Sequence, residues 1–205
     1  MTRQGGAILE LGAQDVGEVA DVLCESFFDY PVMRFVLGRN SEDYEERLKI
    51  LIHFFTMARV LKGESMFGIG EADDLSAVAL VARVPGQESP AELDELREGI
   101  WAELGSAART RYEAFGAACA SFVSEIPHLH LDMIGVRDRD RGRGLGRTLI
   151  TRVHSMSRED PDSEGVTLTT ENPANVALYE HFGYRIVGHA TVAPGLKTWS
   201  FFRPD

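Results

Sequence analysis

Apolar residues recur along this chain at two spacings, and the changes between them predict an alternation of strands and helices. Seven short segments have the alternating or continuous apolar pattern that is typical of β-strands. Turn residues separate them, such as the "DDL" that divides the second from the third. The predicted strands are "AILEL" at 7–11, "SMFGIGEA" at 65–72, "SAVALVARV" at 76–84, "HLHLDMIGV" at 128–136, "GVTLTT" at 165–170, "YRIVGHATV" at 184–192 and "KTWSFF" at 197–202.

Helical spacing of apolar residues fills the intervals between these strands. The first helix is predicted to start at Asp15, a candidate N-cap with Glu18 three residues on, and to end at the "DYP" of 29–31. A glycine followed by a serine divides a long helical stretch before the fourth strand into two. The predicted helices are 15–28, 43–61, a pair within an insert at about 88–124, 144–157 and 173–183.

The order of these elements is βααββ, then the helical insert, then βαβαββ, which predicts an α/β fold. The chain has 205 residues, of which 44% are hydrophobic. That is enough to bury one substantial core, and no linker or low-complexity tract interrupts the pattern. We therefore expect a single domain over residues 1–205 that carries the insert.

The charge of the chain limits the classes of partner that it is expected to bind. A formal net charge of -11 and a pI near 5.0 argue against affinity for nucleic acid or anionic lipid, since both need a basic surface. Cationic small molecules or peptides suit an acidic protein better. The start of the chain has no leader pattern, and no segment approaches the roughly 20 apolar residues that span a bilayer, so we expect a cytoplasmic protein. Cys24 and Cys119 fall in helical patterns and are predicted to be buried thiols.

A local strip of basic and glycine residues, "RDRDRGRGLGRTLI" at 137–150, stands out against this acidic background. It lies between a strand and a helix, where free amides and a helix dipole favour phosphate. It lacks the lysine of a Walker loop and the glycine spacing of a dinucleotide fingerprint. It does match [QR]-x-x-G-x-[GA] at Arg141, Gly144 and Gly146. The alternative is a solvated helix entry without a ligand.

These residues resemble the phosphate-binding loop of the GNAT superfamily of N-acetyltransferases. "TTENPANVALYEHFGY" is similar to the segment that follows it in that superfamily, with N-x-x-N-x-x-x-Y-x-x-x-G-[FY] at Asn172, Asn175, Tyr179, Gly183 and Tyr184. The early "SFFDYP", the insert, "IGV" and "VAPGLKTWSF" are similar to the puromycin N-acetyltransferase type. The resemblance implies the GNAT fold, a mixed, twisted sheet of about seven strands with helices on its faces and the insert before the central strand.

The resemblance also implies a cosubstrate, acetyl-CoA; the residues themselves show no paired histidine or cysteine spacing of a metal site, so no metal is expected. The pyrophosphate of acetyl-CoA would lie in a nest of amides and guanidinium groups, and its pantetheine arm would pair with the central strand like an added strand. Two asparagines after the next strand would complete the cleft. The residues expected to bind acetyl-CoA are Ile134, Gly135, Val136, Arg141, Gly142, Arg143, Gly144, Leu145, Gly146, Arg147, Asn172 and Asn175.

Tyr179 matches the position where the superfamily often has the general acid that protonates the leaving thiolate; the alternative is a core tyrosine. A backbone N–H near Ile134 or Gly135 would bind the oxyanion. For the general base, strand alternation puts His128, His130 and Asp132 on one face, provided that no bulge shifts the register. His130 is the first candidate and Asp132 the second, against an alternative of structural hydrogen bonds. Glu171 is a weaker candidate.

The acceptor is less constrained than the donor. In the resembling family, "SFFDYP" and the insert enclose the acceptor, so Phe27, Phe28, Tyr30, Trp101 and Tyr112 are candidates for an aromatic pocket. Trp101 is expected in the core, whereas Phe28 and Tyr30 lie off the apolar face of the first helix and are the predicted acceptor contacts. The predicted function is acetyl transfer to a primary amine of a small metabolite, an aminonucleoside antibiotic or a peptide. The alternative is a non-catalytic acyl-CoA sensor or scaffold. In either case the protein is expected to be a monomer or a homodimer.

Overall fold

The computed structural model describes residues 7–39, 42–71, 73–86, 88–122 and 126–205. Within them, seven strands form one sheet in the spatial order β1-β2-β3-β4-β5-β7-β6. Only the β4–β5 pair is parallel among these neighbours. The strands are β1 (Ile8–Leu11), β2 (Ser65–Glu71), β3 (Asp74–Val84), β4 (His128–Val136), β5 (Gly165–Thr170), β6 (Arg185–Ala193) and β7 (Leu196–Pro204). The mixed sheet of an α/β GNAT fold is therefore confirmed.

Helices cover both faces of this sheet. The insert predicted before the central strand is present as two consecutive helices, α4 and α5, divided at Gly105. Short 3-10 turns precede α1, β4, α6 and α7. The described α-helices are α1 (Val16–Phe27), α2 (Pro31–Leu37), α3 (Tyr44–Leu61), α4 (Ala91–Leu104), α5 (Ser106–Cys119), α6 (Leu145–Glu159) and α7 (Val176–His181).

Two features of the first helices differ from the prediction. Pro31 does not only end α1; it occupies the first turn of α2, where its fixed φ and missing N–H are tolerated. Asp15 occupies the N-cap position of α1, as predicted, but its carboxylate accepts from the Gly12 N–H at 2.8 Å and makes no capping bond to α1. Glu18 points away to the sheet and accepts from the Leu75 N–H at 3.0 Å.

The core consists of two clusters on opposite faces of the sheet. One packs α1 to α5 against the sheet, and Leu48, Ile52 and Leu80 are among its fully buried members. The other packs α6 and α7 against the opposite face, around Leu149 and Phe201. Alternate residues of the central strands serve the two clusters, so these strands are apolar on both faces. No helix in the described ranges has the length and apolar content to cross a membrane.

Candidate active site

The parallel strands β4 and β5 pair only at their beginnings. Pairing runs from Leu129 opposite Val166 to Leu131 opposite Leu168, although β4 continues for five more residues. On its other side, β4 stays paired with β3 up to its end. The two strands therefore diverge, and a gap opens in the middle of the sheet.

The backbone of the last part of β4 borders this gap. Arg137 N–H bonds to Ser76 O at 2.9 Å, so by antiparallel alternation Gly135 pairs with β3 while Ile134 and Val136 turn their N–H and C=O groups toward β5. The Val136 carbonyl accepts from the Ser26 hydroxyl at 3.1 Å. Gly135 has a packing role, since a Cβ there would lie 2.7 Å from Ser26 Oγ of α1.

The glycine loop follows β4 and enters α6. Gly142 (φ 76°) and Gly144 (φ 83°) have left-handed backbone, and nothing lies within 4 Å of the position of a Cβ on either. The amides of Leu145, Gly146 and Arg147 form the first turn of α6 and have no intrahelical acceptor. A cavity of about 450 Å³ opens over this turn. Backbone donors, open space and the positive end of a helix dipole therefore coincide.

Most arginines of the strip have carboxylate partners. Arg137 is structural: it donates to Leu75 O at 2.8 Å and pairs with Glu18 and Glu25 of α1. Arg143 pairs with the buried Asp140, which is also bonded to Arg139. These contacts hold the loop against β3 and α1.

Arg141 and Arg147 are the arginines that border the groove. Arg141 lies 2.7 Å from Asp138 across an exposed ion pair, and its side chain lines the cavities on both sides of the loop. Arg147 has its guanidinium 5.5 Å from the centre of the Phe182 ring and makes no ion pair within the described ranges. An exposed ion pair contributes little, so Arg141 can exchange its partner for a phosphate.

A second cavity, of about 580 Å³, continues from the loop through the gap between β4 and β5. The two cavities share the residues Ile134, Val136, Arg141, Asn175, Leu178 and Tyr179. The groove thus leads from the glycine loop past Tyr179 into the interior.

Tyr179 lies at the junction of the two cavities. It is 7% exposed, and its ring packs against Tyr184 and Phe201, with centroids 5.9 and 5.7 Å away. Burial, and to a smaller extent the charge of Glu171, raises the pKa of Tyr179 to about 12. The hydroxyl is therefore a proton donor at neutral pH, beside the gap.

The two asparagines order the segment between β5 and α7. Asn172 Oδ1 accepts from the Ala174 N–H at 3.0 Å and caps a 3-10 turn. Asn175 Nδ2 donates to Thr170 Oγ1 at 3.3 Å. Both line the interior cavity.

The bulge in β4 falls at Asp132, after the two histidines, so the predicted shared face of His128, His130 and Asp132 is kept: the charges of the other two act on His130. Leu80 pairs with Met133 and Val81 with Leu131, so Asp132 is the extra residue. His130 does not line the groove; its Nδ1 is 2.8 Å from Thr167 Oγ1, and burial lowers its pKa. His128 is buried and bonds to Ile126 O at 2.6 Å.

Asp132 does line the interior cavity, but its carboxylate has a cationic partner. Arg59 of α3 lies beside it, with Nη1 3.6 Å from Asp132 Oδ2. Arg59 also pairs with the half-buried Glu64 at 3.1 Å. A substrate ammonium would have to compete with this guanidinium for the carboxylate.

Glu171, the weaker candidate for the base, is a buried carboxylate that borders the groove. It is 5% exposed, lines the interior cavity and accepts from the Thr198 hydroxyl at 2.8 Å. Burial, offset by that hydrogen bond, raises the pKa of Glu171 to about 7. The signal for it was its place after β5, two residues beyond Thr169 on the same face of the strand.

Tyr30 and Phe28 have different surroundings. Tyr30 is bonded to the same segment as Glu171: its hydroxyl is 2.8 Å from Thr170 Oγ1 and accepts from the Glu171 N–H at 3.1 Å. Phe28 is 39% exposed, packs on Tyr44 and borders a neighbouring, largely acidic cavity of about 710 Å³. Tyr30 borders both cavities.

The remaining aromatic and sulfur residues are structural or lie at the rim. Trp101 belongs to the core, as predicted, while Tyr112 lines the interior cavity. Cys24 is buried, but Cys119 is only partly so, and both are free thiols. Burial raises their pKa values to about 12 and 11, respectively. In the described ranges, no three metal-ligating side chains cluster.

Comparisons with solved structures support the same fold. The chain is similar to a Corynebacterium glutamicum structure described as "histone acetyltransferase HPA2 and related acetyltransferase" (18% identity, 98% of each chain, TM-score 0.67). It is also similar to the Drosophila melanogaster polyamine N-acetyltransferase (14%, 96% of this chain and 97% of that chain, 0.60) and to Arabidopsis thaliana NAA60 in complex with acetyl-CoA (16%, 97% of each, 0.54). At these identities the likeness concerns the fold.

The sequence itself gives the family. No curated protein matches the chain. The model of the acetyltransferase (GNAT) domain matches residues 92–200, which include the insert, the bulged strand, the glycine loop and Tyr179. A match over more than half of its length establishes that this chain belongs to the GNAT acetyltransferase domain family.

Proposed function

We propose that this acetyltransferase moves an acetyl group from acetyl-CoA to a primary amine, directly and within a ternary complex. The observation that supports this best is the groove, which runs without interruption from the amides of the glycine loop, through the gap between β4 and β5, to Tyr179 and Glu171. The donor would enter at one end and the amine at the other.

The donor end suits the chemistry of CoA. The free amides at the start of α6, with Arg141 and Arg147 beside them, would bind the pyrophosphate. The pantetheine amides would pair with Ile134 and Val136, whose polar groups face the gap. The Ile134 N–H is then also suited to bind the oxyanion, whereas Gly135 faces β3.

Protons would move at two places. Glu171 accepts one from the substrate ammonium, so that the neutral nitrogen can attack the thioester carbon. A C–N bond forms and the C–S bond breaks; the leaving thiolate takes a proton from Tyr179, which regains one as the new amide loses its extra proton. The lower pKa of Glu171 and the higher pKa of Tyr179 match the roles of base and acid.

The test is release of free CoA thiol from acetyl-CoA across a panel of primary amines. We expect turnover with the wild-type protein and a loss of kcat of about 10² to 10⁴ for Tyr179→Phe, because the acid is removed. Tyr184→Phe is the matched control. It loses the same hydroxyl from a buried ring, but that hydroxyl bonds to His154 Nε2 at 3.0 Å, outside the groove.

Two results would contradict the proposal. Tight CoA binding without thiol release for any amine would favour the sensor or scaffold role. Equal rates for Tyr179→Phe and the wild type would remove the acid from Tyr179.

A further inference from the structure

The interior cavity has two ends of different character. The donor end is the part shared with the cavity over the glycine loop. The opposite part, which we call the acceptor end, is built by α1, α2, α3 and α5 on one face of the sheet. Its apolar wall consists of Phe27, Val32, Met33, Phe55, Tyr112 and Phe115.

This wall is apolar surface that the fold leaves open. Phe55, Tyr112 and Phe115 are only partly buried, although they border the core. Two of these rings are supported by neighbouring rings: Tyr112 packs on the buried Trp101, with centroids 5.0 Å apart, and on Phe55 at 6.2 Å. A wall of supported aromatic side chains that face a cavity favours an apolar ligand group.

The charges at the acceptor end favour one ammonium rather than several. Asp132 is paired with Arg59, and Arg59 with Glu64. Glu171 has a neutral partner, Thr198. A single ammonium thus finds one carboxylate without a cationic partner, whereas a second one would lie unpaired against the apolar wall, which is unfavourable.

We infer that the acceptor is a primary monoamine carried on an apolar body about as large as an aryl ring. This inference rests on the proposed function and deepens it. The amino group would lie at Glu171, beside the thioester, and the apolar body against the wall of α3 and α5. Polyamines and small hydrophilic amines would be poor acceptors.

The test compares kcat/KM for three acceptors: 2-phenylethylamine, ethanolamine and spermidine. The first two differ by a phenyl group in place of a hydroxyl. Burial of that ring should favour 2-phenylethylamine by about 10- to 100-fold over ethanolamine, given the usual free energy of burying a large apolar side chain. Spermidine should be no better than ethanolamine.

Variants of the wall locate the effect. Phe115→Ala and, independently, Phe55→Ala should lower kcat/KM for 2-phenylethylamine about 10-fold, with little change for ethanolamine or in the Kd of CoA. The matched control is Phe35→Ala, which removes a partly buried ring that packs on the same core cluster outside the cavity. Thermal unfolding of each variant shows whether it folds.

The outcomes separate this inference from the proposed function. Turnover that is equal for the three amines, or best for spermidine, would overturn the inference and leave the N-acetyltransferase standing. Loss of turnover by equal factors for all amines in both wall variants would also overturn it. Absence of thiol release with any amine would overturn both.

Discussion

At the level of single side chains, the environment of Glu171 decides at which pH it can act as a base. Its burial between β5 and the acceptor end raises its pKa to about 7, and the Thr198 hydroxyl keeps the charged form accessible. The carboxylate form, which accepts the proton, is therefore lost as the pH falls below 7.

We predict that kcat at saturating amine rises with pH and levels off above an apparent pKa near 7. Glu171→Gln keeps the shape of the side chain and removes the base, so the rising limb should disappear and kcat should fall by about 10² to 10⁴. The measurement is the pH profile of thiol release.

The matched control is Asp132→Asn, which neutralises the ion-paired carboxylate of the same cavity. It should keep the limb near pH 7. A profile that loses the limb in Asp132→Asn and keeps it in Glu171→Gln would assign the base to Asp132.

Sequence reasoning at this scale succeeded in placing Tyr179 beside the groove and failed with His130. The motif that includes Tyr179 spans residues close together in the sequence, so it fixes the position of the tyrosine without knowledge of the rest of the fold. Which candidate base borders the groove depends on contacts between residues far apart in the sequence, such as His130 with Thr167 and Asp132 with Arg59. Alternation along one strand does not show such contacts.

At the level of elements, the junction of β4, the glycine loop and α6 brings the donor site together. Arg137 ties the loop to α1 and β3, so the first turn of α6 has a fixed position relative to the gap. The amides there have no other acceptor in the helix. The loop therefore presents donors and needs little of its arginine charge to do so.

We predict that Gly144→Asp weakens CoA binding by at least about 10-fold. The substitution adds a Cβ and a carboxylate where nothing lies within 4 Å now, at the turn that would bind an anion. Calorimetric titration with CoA measures the effect.

Gly105→Asp is its control, since Gly105 has nearly the same φ, 84°, and equally open surroundings, but joins α4 to α5. Asp should cost more stability at Gly105, whose ψ of 162° is almost restricted to glycine, than at Gly144, whose ψ is 9°, so thermal unfolding is measured for both. Equal CoA affinity in the two variants would show that the loop does not bind the donor.

The elements themselves were largely predictable, and the exception is instructive. All seven strands and the insert follow from periodicity. Helix α2 was missed because Pro31 was read only as the end of α1, although proline is also favoured in the first turn of a helix. Seven residues give too short a period to outweigh that reading.

At the level of the whole molecule, the two faces of the sheet contribute different parts of the groove. The face of α6 and α7 holds the donor loop and Tyr179, and the face of α1 to α5 holds the apolar wall. The residues of the proposed donor site lie in one stretch of the sequence, 134–179, where motifs can mark them. The acceptor end gathers side chains from positions 27 to 115, and only the folded chain brings them together.

The α6 face also contains a buried titratable pair that affects overall stability. His154 bonds to Tyr184, and burial, with smaller contributions from Arg203 and Arg158, lowers the pKa of His154 to about 4. A depressed folded-state pKa gives stability that is present above the unfolded value near 6.5 and is lost as the pH falls toward 4.

We predict that His154→Gln, which keeps a polar group near Tyr184, loses less stability than the wild type between pH 7 and pH 4. After allowance for solvent screening, the difference should be about 1 to 2 kcal/mol in the free energy of unfolding. Denaturant unfolding at the two pH values measures it, and equal losses would contradict the burial of an uncharged imidazole.

The short pairing of β4 with β5 has a further consequence for ligand entry. Because the strands separate after three paired positions, the cleft is already open in the folded chain. The strands on its two sides are each paired along their outer edge, β4 with β3 and β5 with β7. Binding of a thioester in this cleft would therefore not require the free energy of separating two paired strands.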